Sequence, residues 1–259
     1  MLFAVFTITA YLGALLWIMP TLAHIDADKK PNIKAVFIFG VIAIICHIIN
    51  ISQHLVVTGG QNYTIVNVAS LISVIISSLA TVALTRWKTI WFPLSVIYSL
   101  GIVTVTLSTF VEGSFIKRIS ENFGLMSHLS IAITSYGLFF IALLYAMQLK
   151  WLDKNLKSKK MAFSPMLPPL MTVERHFFTL TLAAQVLLTV ALITGMIYLH
   201  NFFAPEHIHK AIFSFIAWIV YSILLLGQWK LRWRGNRVLI YSISGMMLLS
   251  FAYFGSRMV

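Results

Sequence analysis

Long apolar runs dominate the chain, and polar positions gather at intervals between them. A helix needs about 20 apolar residues to cross the hydrocarbon core of a bilayer. By that measure the pattern predicts eight spans, at about 3–22, 35–55, 65–85, 90–110, 124–147, 177–199, 211–229 and 238–256. Breaking residues fall between them: Pro31 before the second span, Gly59-Gly60 after it, and Pro205 before the seventh. The longest polar stretch, 148–176, carries Lys150, Lys154, Lys157, Lys159, Lys160 and three prolines, and is expected to lie along the membrane surface. No internal repeat stands out and no soluble domain fits, so residues 1–259 form one expected membrane domain. The predicted fold is all-α: a polytopic bundle of eight transmembrane helices.

Composition agrees with the pattern. Apolar residues make up 59% of the chain and charged residues 10%, against roughly 45–50% and about 25% in soluble domains. A soluble globule so poor in charge could not cover its surface. The formal charge of +12, from 19 basic and 7 acidic residues, would suggest a nucleic-acid partner in a soluble protein. In a membrane protein it follows instead from the enrichment of cytoplasmic loops in lysine and arginine, so no nucleic-acid partner is expected. Lys117, Arg118, Lys210 and Arg257 fall on one side of the predicted spans, and the remaining 15 of the 19 basic residues on the other. That bias predicts both termini outside an inner (plasma) membrane and 148–176 in the cytoplasm. Met1-Leu2-Phe3 has no basic region of the signal-peptide kind, and Lys29 and Lys30 follow the first span, which is therefore expected to be retained. The tryptophans around 87–91 and 229–233 fit belts at the inner interface.

Chemistry is confined to a few residue types. None of the seven acids, and no lysine or arginine, lies mid-span. Ion-coupled transporters keep such charges near the midplane, so a permease is the weaker reading. No nucleophile elbow, phosphate loop or paired carboxylates occur, and no enzymatic activity is expected. Histidine is the polar residue that enters the membrane. With the predicted topology His54, His128, His200, His207 and His209 fall near the outer face, and only His24 and His176 on the inner side. His47 lies about 10 Å deeper than His54 on the second span. His47, Asn50 and His54 are spaced by three and four, so they share one helix face. Neutral imidazole is a common ligand for haem iron and other metals. A histidine at a helix end is more often only an interfacial polar residue, the favoured reading for His54 and His200, while His47 equally fits an interhelical hydrogen bond. His207 and His209 are two apart, so in a helix they point to different faces. Cys46 is the only cysteine and lacks the Cys-x-x-Cys-His context, so any haem would be held without thioether bonds.

Ser127-His128-Leu129 with Ser135-Tyr136-Gly137-Leu138-Phe139 forms one group of residues, and His209-Lys210, Ala217-Trp218, Trp233-Arg234-Gly235 and Ala252-Tyr253-Phe254-Gly255 form another. In this order they resemble the cytochrome c assembly, haem-handling superfamily of CcsA, CcmC and HemX-like proteins. His47 and Asn67-Val68-Ala69-Ser70-Leu71 are similar to the YpjD-type branch. The resemblance spans all eight helices. It implies a membrane protein that binds or handles a non-covalent b-type haem, in haem transport, haem sensing or cytochrome c biogenesis. It further implies His128 and His209 as axial iron ligands, His47 as a deeper ligand or relay, and His207 as a substitute for His209. A cytochrome assembly or haem-synthesis protein is the implied partner, besides the lipid bilayer and haem itself. The tryptophan-rich motif of haem-delivery members is replaced here by Asn201-Phe202-Phe203-Ala204-Pro205-Glu206. That departure points to haem binding or regulation rather than delivery. Two readings stand beside this one: a scaffold without haem that controls a haem-synthesis or assembly enzyme, and a small-molecule permease.

Overall fold

The computed structural model describes residues 1–22, 32–87, 89–117, 122–157, 168–198 and 208–254. Eight helices among the described residues are long and apolar enough to span a membrane. They divide between two compact units, Met1–Ile119 with Lys159–Pro169, and Ser120–Ser158 with Leu170–Val259.

The first unit holds α1 (Leu2–Leu22), α2 (Ile33–Leu55), α3 (Ile65–Leu84) and α4 (Trp91–Phe110). Each packs on its chain neighbour and α1 closes the ring against α4. Local chemistry sets the starts: the Asn32 side chain accepts from Ala35 N at 3.2 Å, and Thr64 from Asn67 N at 3.2 Å, each capping an otherwise unpaired donor. Hydroxyls tie the helices where apolar packing alone gives little selectivity. Ser73 meets Thr104 at 2.7 Å and Thr81 meets Tyr98 at 2.8 Å, both between α3 and α4.

One end of this unit carries a three-stranded antiparallel sheet, β1 (Val56–Val57), β2 (Gly60–Asn62) and β3 (Ile116–Lys117), in that order. Gly59, at φ 95°, makes the turn between β1 and β2, a conformation that favours glycine. Asn62 holds the neighbouring loop, donating to Gly113 O at 2.9 Å and accepting from Phe115 N at 2.7 Å. Tyr63, outside the spans, is buried against this cap, and burial pushes its hydroxyl pKa up. Strands of two or three residues carry no readable period, so the pattern of the sequence does not announce them.

The second unit holds α5 (Phe123–Lys157), α6 (Leu170–Tyr198), α7 (Ile208–Leu231) and α8 (Asn236–Phe254), with the same ring of neighbours: α5 on α6, α6 on α7, α7 on α8, and α8 on α5. The expected polar connection 148–176 is therefore much shorter. Helix α5 continues through Lys150, Asp153 and Lys154 to Lys157, and α6 begins at Leu170. Apolarity marks where a helix can meet lipid, not where it stops. At 1.5 Å per residue the 35 residues of α5 extend about 52 Å, well beyond a hydrocarbon core of about 30 Å.

Candidate functional site

The second unit is closed across its middle by aromatic packing. Phe139 of α5 stacks on Tyr221 of α7, with ring centroids 3.7 Å apart and planes at 17°. Both rings are buried, and the Tyr221 hydroxyl donates to Ser242 O on α8 at 3.3 Å. Polar bonds pin the remaining helices. Ser135 donates to Ala184 O at 2.9 Å, Gln185 to Ser222 Oγ at 2.7 Å, and Trp218 Nε1 to Thr189 Oγ1 at 2.9 Å.

His128 lies on α5 eleven residues before Phe139, a separation close to three full turns, so it shares that residue's face of the helix. Its ring is half-buried, with Nδ1 3.0 Å from Ala191 O and 3.2 Å from Thr194 Oγ1, both on α6. A carbonyl only accepts, so Nδ1 carries the proton and donates. The neutral ring then presents its lone pair at Nε2, which makes no hydrogen bond among the described residues. Metal-binding histidines are commonly oriented this way, through a second-nitrogen bond to a backbone carbonyl.

His209 stands at a matching level. It precedes Tyr221 on α7 by twelve residues, against eleven for His128 and Phe139. With α5 and α7 running the same way in an up-and-down bundle, the two histidines lie about 16 and 18 Å from the stacked pair along their helices. Direction differs. His209 is exposed in the first turn of α7, while Ala211, about 200° around the helix from it, is buried. No hydrogen bond or ring contact joins His128 and His209 among the described residues. His207, His200 and His24 lie outside the described residues.

His47 belongs to the first unit and is fully buried. Its Nδ1 is 3.2 Å from the Tyr11 hydroxyl and its Nε2 2.9 Å from Ser70 Oγ, so α2 is tied to α1 and α3. Both ring nitrogens are engaged, and as placed His47 offers an iron no free lone pair. One turn away, Asn50 is also fully enclosed, and neither its amide nitrogen nor its oxygen has a partner among the described residues. His54 is half-buried near the end of α2, where its carbonyl accepts from Asn67 Nδ2 at 3.4 Å. Spacing alone put 47, 50 and 54 on one face. The partners on α1, α3 and α6 depend on packing and were not legible.

Eight spanning helices, with an imidazole fixed by a neighbouring helix near one end of a four-helix unit, define a polytopic membrane protein able to present a nitrogen ligand. The profile of the Cytochrome C assembly protein family matches residues 35–259, and the chain belongs to that family. It is 38% identical to inner membrane protein YpjD of Escherichia coli strain K12, over 99% of this chain and 97% of the relative. YpjD of the O6:H1 strain CFT073 and of O157:H7 matches to the same extent. No solved structure matches the chain. The chain is thus a multi-pass inner-membrane protein.

Proposed function

We propose that this protein binds one b-type haem, without covalent attachment, where α5 and α7 begin. His128 Nε2 would be one nitrogen ligand to its iron, and the imidazole of His209 in the first turn of α7, or of His207 just before it in the sequence, would be the other. The observation behind this reading is the His128 Nδ1–H bond to Ala191 O at 3.0 Å, which fixes the tautomer and leaves Nε2 available. The fit is clear for one ligand. His209 matches His128 in level, and turning of the first exposed turn of α7 would direct it inward. His47, saturated by Tyr11 and Ser70, acts in this reading as a structural link of the first unit rather than as a ligand.

Bound haem would supply a redox-active or transferable iron porphyrin. The protein's own residues position it: Ala191 and Thr194 orient the His128 ring, and the Phe139–Tyr221 stack closes the bundle beneath. The role is non-catalytic, in haem transport, sensing or cytochrome c biogenesis, beside an assembly or haem-synthesis protein. Both termini face the periplasmic side, which places the site at the outer face, as the split of basic residues implies. An absorption spectrum of protein purified from haem-replete cells tests the reading. A stoichiometric Soret band is expected, and a haem-free, folded protein would favour the scaffold instead.

A further inference from the structure

The opposite end of the second unit carries a groove that the haem reading does not use. It measures about 790 Å³ and runs between the start of α6 and the end of α7. Its walls are apolar, from Phe178 and Leu182 on α6 to Leu225, Leu226 and Trp229 on α7. Three arginines, Arg175, Arg232 and Arg234, stand at its mouth. Arg234 is neutralised by Glu174, Nε to Oε1 at 3.0 Å. Arg175 and Arg232 make no side-chain hydrogen bond or ion pair among the described residues, so two positive charges face the groove uncompensated.

The backbone at Arg232 sets the mouth apart from a plain lipid-facing surface. Arg232 has φ 50°, in the left-handed region disfavoured for any residue with a Cβ. It occupies the position after α7 where glycine is preferred, with Arg232 N bonded to Gln228 O at 3.0 Å and Trp233 N to Gly227 O at 3.3 Å. An arginine thus stands where glycine would suit the backbone better. The groove therefore has an apolar channel and two guanidinium groups without partners among the described residues.

We infer that this groove binds an anionic glycerophospholipid of the surrounding leaflet, with phosphatidylglycerol as the matching chemistry. An acyl chain lies along Phe178 and Leu226, and the phosphate meets Arg175 and Arg232. Basic pockets between helices at the membrane interface bind anionic headgroups in this manner. Each arginine near an anionic headgroup gives on the order of a fivefold gain, so two give about 30-fold over a lipid without net charge.

The test is native mass spectrometry of the full chain in detergent, titrated with phosphatidylglycerol, phosphatidylethanolamine or phosphatidylcholine. Phosphatidylglycerol should bind about 30-fold more tightly than phosphatidylcholine. An R175Q/R232G variant should lose that preference to within about twofold while remaining folded, because glycine relieves the backbone at 232. Thermal unfolding of the variant in lipid-free detergent checks that it is folded, and a single R175Q variant, which leaves position 232 untouched, should lose about fivefold. Millimolar inorganic phosphate should not displace the lipid. Equal binding of phosphatidylethanolamine and phosphatidylglycerol, an unchanged preference in both variants, or displacement by phosphate would overturn the assignment.

Discussion

Replacing Gly245 by alanine should destabilise the second unit, although alanine is the better helix former. A Cβ at position 245 would stand 2.5 Å from Tyr221 Cε2 and 2.6 Å from Cζ. Ordinary contact between carbons needs about 3.5–4.0 Å, so the ring must retreat by roughly 1 Å. It has nowhere to go, because Phe139 stacks on it at 3.7 Å and Tyr221 is only 1% exposed. Overpacking of this kind costs about 1–3 kcal/mol, while the change from glycine to alanine within a helix returns about 1 kcal/mol. The clash should win by about 1 kcal/mol, close to a fivefold shift toward the unfolded state. Equilibrium unfolding in mixed micelles, followed by circular dichroism, measures it. The same substitution in a Tyr221→Leu background, where the ring is gone, should become neutral or stabilising, so the double-mutant cycle should show a coupling of about 1–3 kcal/mol. A Gly245→Ala variant as stable as the parent, with no coupling to position 221, would refute the packing argument.

Asn50→Leu should stabilise the first unit by about 1–3 kcal/mol, because it removes two enclosed polar atoms without partners; a loss of stability would show that the amide is satisfied by a bound molecule. Cysteines placed at Ser158 and Asn62, in a background without Cys46, should label from opposite sides of the membrane, and labelling of position 158 by an impermeant outside reagent in intact cells would reverse the proposed orientation. Acid-acetone extraction should remove all haem from the polypeptide, since no Cys-x-x-Cys-His site exists to hold it; haem left on the chain would contradict non-covalent binding.

The eight helices were legible because lipid demands long apolar runs and leaves little room for another arrangement. Their ends were less so. Lys150, Asp153 and Lys154 looked like a surface connection, yet they continue α5, since nothing in the sequence up to Lys157 breaks a helix once it leaves the bilayer. The common ring order of the two four-helix units left no visible repeat, because helix neighbours follow from short connections and not from particular residues. His128 was legible as a candidate, but its orientation by Ala191 and Thr194 is a matter of α5–α6 register. The face of His209 could be read only once Ala211 was seen to be buried. Arg232 gave no hint of a left-handed backbone, which here depends on how α7 ends.

The haem assignment stands or falls on the Soret spectrum and haem occupancy of His128→Ala and of the His207→Ala/His209→Ala double variant, each purified beside His24→Ala from haem-replete cells. A bis-imidazole site predicts a low-spin parent spectrum, a shift toward high spin or lower occupancy in the first two variants, and no change in His24→Ala. If His128→Ala and the double variant both keep the parent spectrum and occupancy, the site at the start of α5 and α7 is wrong.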